Sequence, residues 1–130
     1  MGRPRRTSRP KLLTEVELEI MSTLWQLERG TVREVLAKLP KRRTLAYTSV
    51  STMLRILEDK RLVRSRKDGK AYVYVPAVTK TEYEGRSLRH LAEKVFDGTP
   101  SAMVMRLIDD AELSTEELRE IKRRLEEKLT

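Results

Sequence analysis

Apolar residues recur at helical spacing along most of the chain, and turn residues cut that pattern into short pieces. Leu18, Met21, Leu24 and Trp25 form one stripe behind Thr14 and Glu17, which have capping-box spacing. Leu13 and Leu18 take the hydrophobic-staple positions, and Gly30 is expected to end this helix. Thr31 and Glu34 repeat the box ahead of Val32, Val35, Leu36 and Leu39, with Pro40 as the stop. A third helix is entered through the basic loop Lys41-Arg42-Arg43 and runs to about Lys60. Val50, Met53, Leu54 and Leu57 fall on one side of it, with Tyr47 at the edge, while Thr48, Thr52 and Arg55 fall opposite, flanked by Ser51.

The period then changes. Residues 62–66 and 71–75 read as strands flanking Lys67-Asp68-Gly69-Lys70, whose Asp-Gly is a hairpin turn signal, and Pro76 closes the pair. The rest is helical again. Thr79 and Glu82 open a helix bearing Tyr83, Leu88, Leu91, Ala92, Val95 and Phe96, which Gly98 breaks. Thr99-Pro100 opens a second with Met103, Val104, Leu107, Ile108 and Ala111. Ser114 and Glu117, inside a Leu113–Leu118 staple, open a third striped by Leu118, Ile121, Leu125 and Leu129. The fold expected is mostly α with a small β-hairpin. A winged helix-turn-helix domain over 12–76 is followed by a C-terminal helical dimerisation domain over 77–130, and residues 1–11, without periodicity, form a disordered basic arm.

Composition narrows the function. A chain of 130 residues supports one domain or two small ones with a modest core. There is no cysteine and a single histidine, His90, so disulfides, thiol chemistry and the common transition-metal sites drop out; no cofactor or metal is expected. No apolar run approaches the roughly 20 residues of a membrane span, and no signal-peptide segment is visible, so the expectation is a cytoplasmic protein without direct membrane binding. Charge matters more for its placement than for its total. The first 76 residues carry +10 and the last 54 carry −2, giving the net +8. A basic half joined to a near-neutral helical half suggests a polyanion-binding domain joined to something else.

The third helix supplies the chemistry. A solvated face is usually built from Glu and Lys; this one carries short hydroxyls and one Arg, suited to close approach and to hydrogen bonds with phosphates or base edges. Thr48, Ser49, Ser51, Thr52 and Arg55 are expected to face a DNA groove. Arg42, Arg43 and Thr44 are expected to hold phosphates at the helix entrance. Arg64, Arg66, Lys67 and Lys70 put four cations on or near the hairpin tip. Arg3, Arg5 and Arg6 of the arm either enter a minor groove or belong to a solubilising tail. Tyr72 and Tyr74 read as core or wing-packing residues rather than stacking platforms. In the C-terminal helices Leu88, Leu91, Val95, Met103, Val104, Leu107, Ile108, Leu118, Ile121 and Leu125 form apolar faces that pair with a second copy, or else pack back onto the winged helix. No catalytic constellation is visible, so no enzyme is expected. A sequence-specific repressor leads, ahead of a non-specific architectural DNA binder and a protein–protein adaptor.

The order of these pieces resembles the BlaI/MecI/CopY family of bacterial penicillinase-type repressors, over nearly the whole chain after the arm. The resemblance is carried by Leu13-Thr14-Glu15-Val16-Glu17 with Met21 and Trp25, by Thr31-Val32-Arg33-Glu34-Val35, by Leu45-Ala46-Tyr47-Thr48-Ser49-Val50 with Leu54-Arg55-Ile56-Leu57, and by Gly69-Lys70-Ala71-Tyr72-Val73-Tyr74. It implies a homodimeric winged-helix repressor on a palindromic operator, with the third helix in the major groove, the wing on the backbone and the C-terminal helices forming the dimer. The copper-responsive branch has a C-terminal cysteine cluster, which this chain lacks. In the antibiotic-responsive branch, a membrane-bound sensor protease acts upstream of cleavage at an Asn-Phe bond before Glu-Leu-Ser. Here Glu112-Leu113-Ser114 aligns with that motif and puts Arg106-Leu107 at the cleavage region. Either a protease of different specificity acts there, or release is not proteolytic.

Overall fold

Thr14 accepts a hydrogen bond from the Glu17 N–H, and the Glu17 carboxylate accepts one from the Thr14 N–H, so the expected capping box opens α1 (Glu15–Leu27). The structure is a computed structural model and describes residues 12–41 and 43–130. Thr31 and Glu34 open α2 (Val32–Lys38) in the same way. The end of α1 differs from expectation. Glu28 takes the left-handed conformation (φ 72°), and Gly30 instead lies in a short strand, β1 (Gly30–Thr31). Gly30 is buried there, and a Cβ on it would meet the Leu27 side chain at 3.3 Å, so the glycine serves close approach rather than chain reversal.

The third helix, α3 (Tyr47–Asp59), leads into β2 (Val63–Asp68) and β3 (Ala71–Pro76). Lys67 and Asp68 belong to the strand, pairing with Tyr72 and Ala71, so the turn is shorter than the sequence suggested: Gly69, at φ 67°, and Lys70 alone make it. β1 adds to the free edge of β3, with Gly30 opposite Tyr74 and Thr31 opposite Val73, giving a three-stranded antiparallel sheet ordered β1-β3-β2. A two-residue strand carries no readable alternation, which is why only the hairpin could be expected.

Ile20, Met21 and Leu24 of α1, Val35 of α2, Val50, Leu54 and Leu57 of α3, and Val63 of β2 fill the core; Tyr74 of β3 is buried with them. Met21 and Leu24 of the stripe expected on α1 are in the core and Trp25 packs against it, but Leu18 is not. Leu18 is exposed and Ile20 is buried, because the inward row is Glu17, Ile20, Met21 and Leu24. That row puts the Glu17 carboxylate at the core margin. Trp25 donates its indole N–H to the Val78 carbonyl at 2.9 Å and packs tilted against Tyr83, with ring centroids 5.9 Å apart. The Tyr83 hydroxyl accepts from the Leu13 N–H at 3.1 Å. The first turns of α4 (Lys80–Val95), opened by the Thr79–Glu82 box, are thereby tied to α1.

The described residues divide into two compact units, one ending at His90 and the other Leu91–Thr130. The second contains the end of α4, α5 (Pro100–Asp110) and α6 (Thr115–Leu129), the last opened by the Ser114–Glu117 box. It has little interior: Ala92 and Met103 are buried, and α6 has no buried residue. Met103, expected on a face shared between copies, is covered within its own chain. Leu88, Leu91, Val95, Val104, Leu107, Ile108, Leu118 and Leu125 are exposed, and Ile121 is half-buried. None of the described helices is long and apolar enough to cross a membrane.

A candidate nucleic-acid interface

α3 starts differently from α1, α2, α4 and α6. Its N-cap is Ala46, whose methyl group accepts no hydrogen bond, and its first turn contains no acidic residue. An alanine N-cap costs a helix about 1 kcal/mol relative to Ser, Thr or Asp. It also leaves first-turn N–H groups, with the positive end of the helix dipole, open to an external anion. Hydrophobic burial supports the helix despite that start, since Val50, Leu54 and Leu57 are fully enclosed.

The outward face is the one the sequence indicated. Thr48, Thr52 and Arg55 are exposed, and Ser49 and Ser51 are half-buried along its two margins. Asp59 stands on the same side near the C-terminal end, so the stretch open to an anion is the N-terminal half. Two further residues belong to this surface. Ile56 is exposed (37%), one turn after Thr52, and offers the face an apolar contact. Tyr47 is also exposed (45%), although the helical pattern put it at the edge of the core face. The Arg33 guanidinium of α2 sits over its ring, 5.3 Å from the centroid, so the first turns of α2 and α3 meet in a cation–π contact. Arg33 and Tyr47 gave no signal in the sequence because they lie on different helices.

The hairpin separates its cations by strand alternation. Val63, Ser65 and Lys67 share one face of β2, and Arg64 and Arg66 share the other. The first face is the inner one: Val63 is in the core, and Ser65 donates through Oγ to Glu58 of α3 at 2.8 Å and through its N–H to the same oxygen at 3.2 Å. Lys67 therefore extends the α3 side of the sheet toward the tip, beside Lys70 in the turn, whereas Arg64 and Arg66 leave from the outer side; all four are exposed. Tyr74 is a core residue as expected, but Tyr72, opposite Lys67 near the tip, is half exposed.

At the entrance of α3, Thr44 is exposed and Arg43 is engaged within the protein. Arg43 Nε donates to Glu19 Oε1 and Arg43 Nη2 to Glu19 Oε2, both at 2.9 Å, a two-pronged pair between the loop and α1. The hydrogen bonds to Glu19 raise the Arg43 pKa above its ordinary value. At the other end, Lys60 donates to Glu17 of the same helix α1. Arg42, Arg3, Arg5 and Arg6 lie outside the described residues.

Residues 13–127 match the penicillinase repressor family. The penicillinase repressor of Bacillus licheniformis is 29% identical over 115 residues, which cover 88% of this chain and 90% of that protein. The transcriptional regulator BlaI of Mycobacterium tuberculosis is 34% identical over 99 residues, 75% of this chain and 72% of the relative. Among solved structures, the solution structure of the DNA binding domain of the repressor BlaI matches 55% of this chain and 87% of its own, with 30% identity and a TM-score of 0.49.

Proposed function

This chain belongs to the penicillinase repressor family, and on that footing we propose that it is a homodimeric transcriptional repressor that binds a palindromic operator in double-stranded DNA. The family is one of repressors and not of enzymes. The observation that carries the reading is the face of α3, where Thr48, Thr52 and Arg55 stand exposed on a helix with an uncapped, acid-free N-terminus. In the major groove Thr48, Ser49, Ser51, Thr52 and Arg55 read base edges. Thr44, Lys67 and Lys70 hold phosphates on either side, and Arg64 and Arg66 add positive field from the outer face of the wing.

Helices α4, α5 and α6 supply the partner surface. Leu88, Leu91 and Val95, then Val104, Leu107 and Ile108, then Leu118, Ile121 and Leu125 recur at helical spacing and stay open in the single chain. Pairing them with a second copy buries them and sets two α3 helices about 34–36 Å apart, one turn of DNA. The Arg106–Leu107 bond lies inside α5, with Arg106 paired to Asp110 at 3.4 Å. Cutting there, by a sensor protease or another, would require that helix to open and would separate α6 from α4. The repressor acts in the cytoplasm, where its DNA lies.

A titration against a palindromic promoter fragment and a scrambled duplex at several salt concentrations tests the reading. The palindrome should win by roughly a thousandfold or more. Equal affinity with a steep salt slope would instead make this a non-specific architectural binder.

A further inference from the structure

We propose that Glu19 is a positioning residue of DNA recognition, holding Arg43 off the phosphate backbone and its loop against α1; the inference rests on the DNA-reading role of α3. Arg43 lies in the basic run that leads into α3, where a free guanidinium would meet phosphates. Its fork is already filled. Both prongs end on Glu19 at 2.9 Å, and the two side chains keep only 25% and 15% of their surface exposed. The backbone reinforces the arrangement, because the Arg43 N–H donates to the Pro40 carbonyl at 2.9 Å and closes a turn that directs the side chain toward α1.

A carboxylate and a phosphate compete for the same planar donor set. Glu19 has the advantage of sitting on a packed helix, where its backbone carbonyl accepts from the Thr23 hydroxyl and its neighbour Ile20 is in the core. A phosphate would have to break two charge-assisted hydrogen bonds to reach Arg43.

The consequence concerns discrimination. A cation that touches phosphate strengthens binding to every sequence alike, whereas base-edge contacts act on one site. With Arg43 neutralised, the entrance of α3 contributes less to indiscriminate binding. The fork also ties the loop to α1, so the groove-facing hydroxyls start from a fixed position. Glu19 thereby lowers non-specific affinity and supports the specific complex.

The full-length chain tests this through Glu19→Gln and the double variant Glu19→Gln/Arg43→Gln, compared with wild type on palindromic and scrambled duplexes between 50 and 200 mM salt. Releasing Arg43 in Glu19→Gln should steepen the salt slope on scrambled DNA by about 0.9, the value of one phosphate contact, and tighten that binding about fivefold to tenfold at 0.1 M salt. The released cation acts on both duplexes alike, so the ratio of palindromic to scrambled affinity should fall only by what the palindrome loses when the loop is freed from α1. The double variant, which is charge-matched to wild type, should return to the wild-type slope. Two results overturn the proposal: an unchanged slope in Glu19→Gln, or a slope lower by about 0.9 in the double variant, which would mean that Arg43 touches phosphate in wild type. Wild type that does not distinguish the two duplexes overturns the repressor reading itself, before any variant is compared. Thermal unfolding verifies that each variant is folded; should Glu19→Gln fail to fold, the slope of the double variant decides alone.

Discussion

Lys60, the C-cap of α3, donates through Nζ to both carboxylate oxygens of Glu17, at 3.3 and 3.2 Å. Glu17 and Glu19 stand two residues apart on α1, and they hold opposite ends of the same stretch: Lys60 just after α3 and Arg43 just before it. α1 therefore braces α3 at both ends. Removing the first brace with Lys60→Met should lower unfolding stability by about 1 kcal/mol, near the top of the range for a partly exposed pair because Glu17 is only 8% exposed. Urea denaturation of the variant and wild type measures this.

The same carboxylate predicts a pH dependence. Burial raises the Glu17 pKa, but hydrogen bonds from Thr14 and Lys60 and the Lys60 charge outweigh burial, and the folded value lies below the ordinary 4.5. A lowered folded pKa means that the unfolded chain takes up its proton first. The stabilisation from Glu17 is therefore complete above about pH 4.5 and is lost as pH falls through the folded value. Glu17→Gln, which keeps an acceptor for the Thr14 N–H, should reduce the acid-induced loss of stability. Thermal melts from pH 7 to pH 3 give the comparison, and parallel curves for the two proteins would contradict it.

Leu54 is fully enclosed on the inward face of α3, next to Val50 and Leu57. Leu54→Ala should cost about 2–5 kcal/mol through lost burial and an unfilled cavity. With a core this small, that is a large share of the 5–15 kcal/mol typical of a domain. Part of the population should be unfolded near 37 °C, visible as lost helical circular dichroism.

On DNA, Thr48→Ala and Lys67→Ala should behave differently. Thr48 is exposed on the outward face of α3, so under the proposed reading its loss should cost about 1–3 kcal/mol on the preferred site and leave scrambled DNA nearly unchanged. Lys67 is a tip cation, so its loss should weaken both DNAs together and reduce the salt slope by about 0.9. Equal weakening of both DNAs by Thr48→Ala would remove it from base reading.

Leu125 is half exposed on α6, a helix with no buried residue. Leu125→Glu should leave the first unit folded and shift sedimentation velocity toward the monomer mass, with weaker palindrome binding as the second half-site contact is lost. An unchanged dimer would move the interface elsewhere on the chain.

Local chemistry made much of this protein legible. The capping boxes at Thr14, Thr31, Thr79 and Ser114 each join residues three apart, and all four form as expected. The two faces of α3 follow from periodicity, because a helix with enough apolar residues has one way to bury them. Leu18 and Ile20 show the limit, since both suit a helix and only the neighbouring elements determine which of them turns inward. Arg43 shows it more sharply. Its place in a basic run suggested a phosphate contact, but its partner is 24 residues away on another helix.

What the chain by itself determined was the six helices and the hairpin, the starts marked by capping boxes and the polar character of the exposed face of α3, because these rest on interactions within a turn or two. Tertiary structure alone decided that Gly30 would form a third strand, that Tyr47 would meet Arg33, and that Glu17 and Glu19 would hold the two ends of α3. Those contacts join residues distant in sequence, and their partners are set by how the helices and the sheet share one small core.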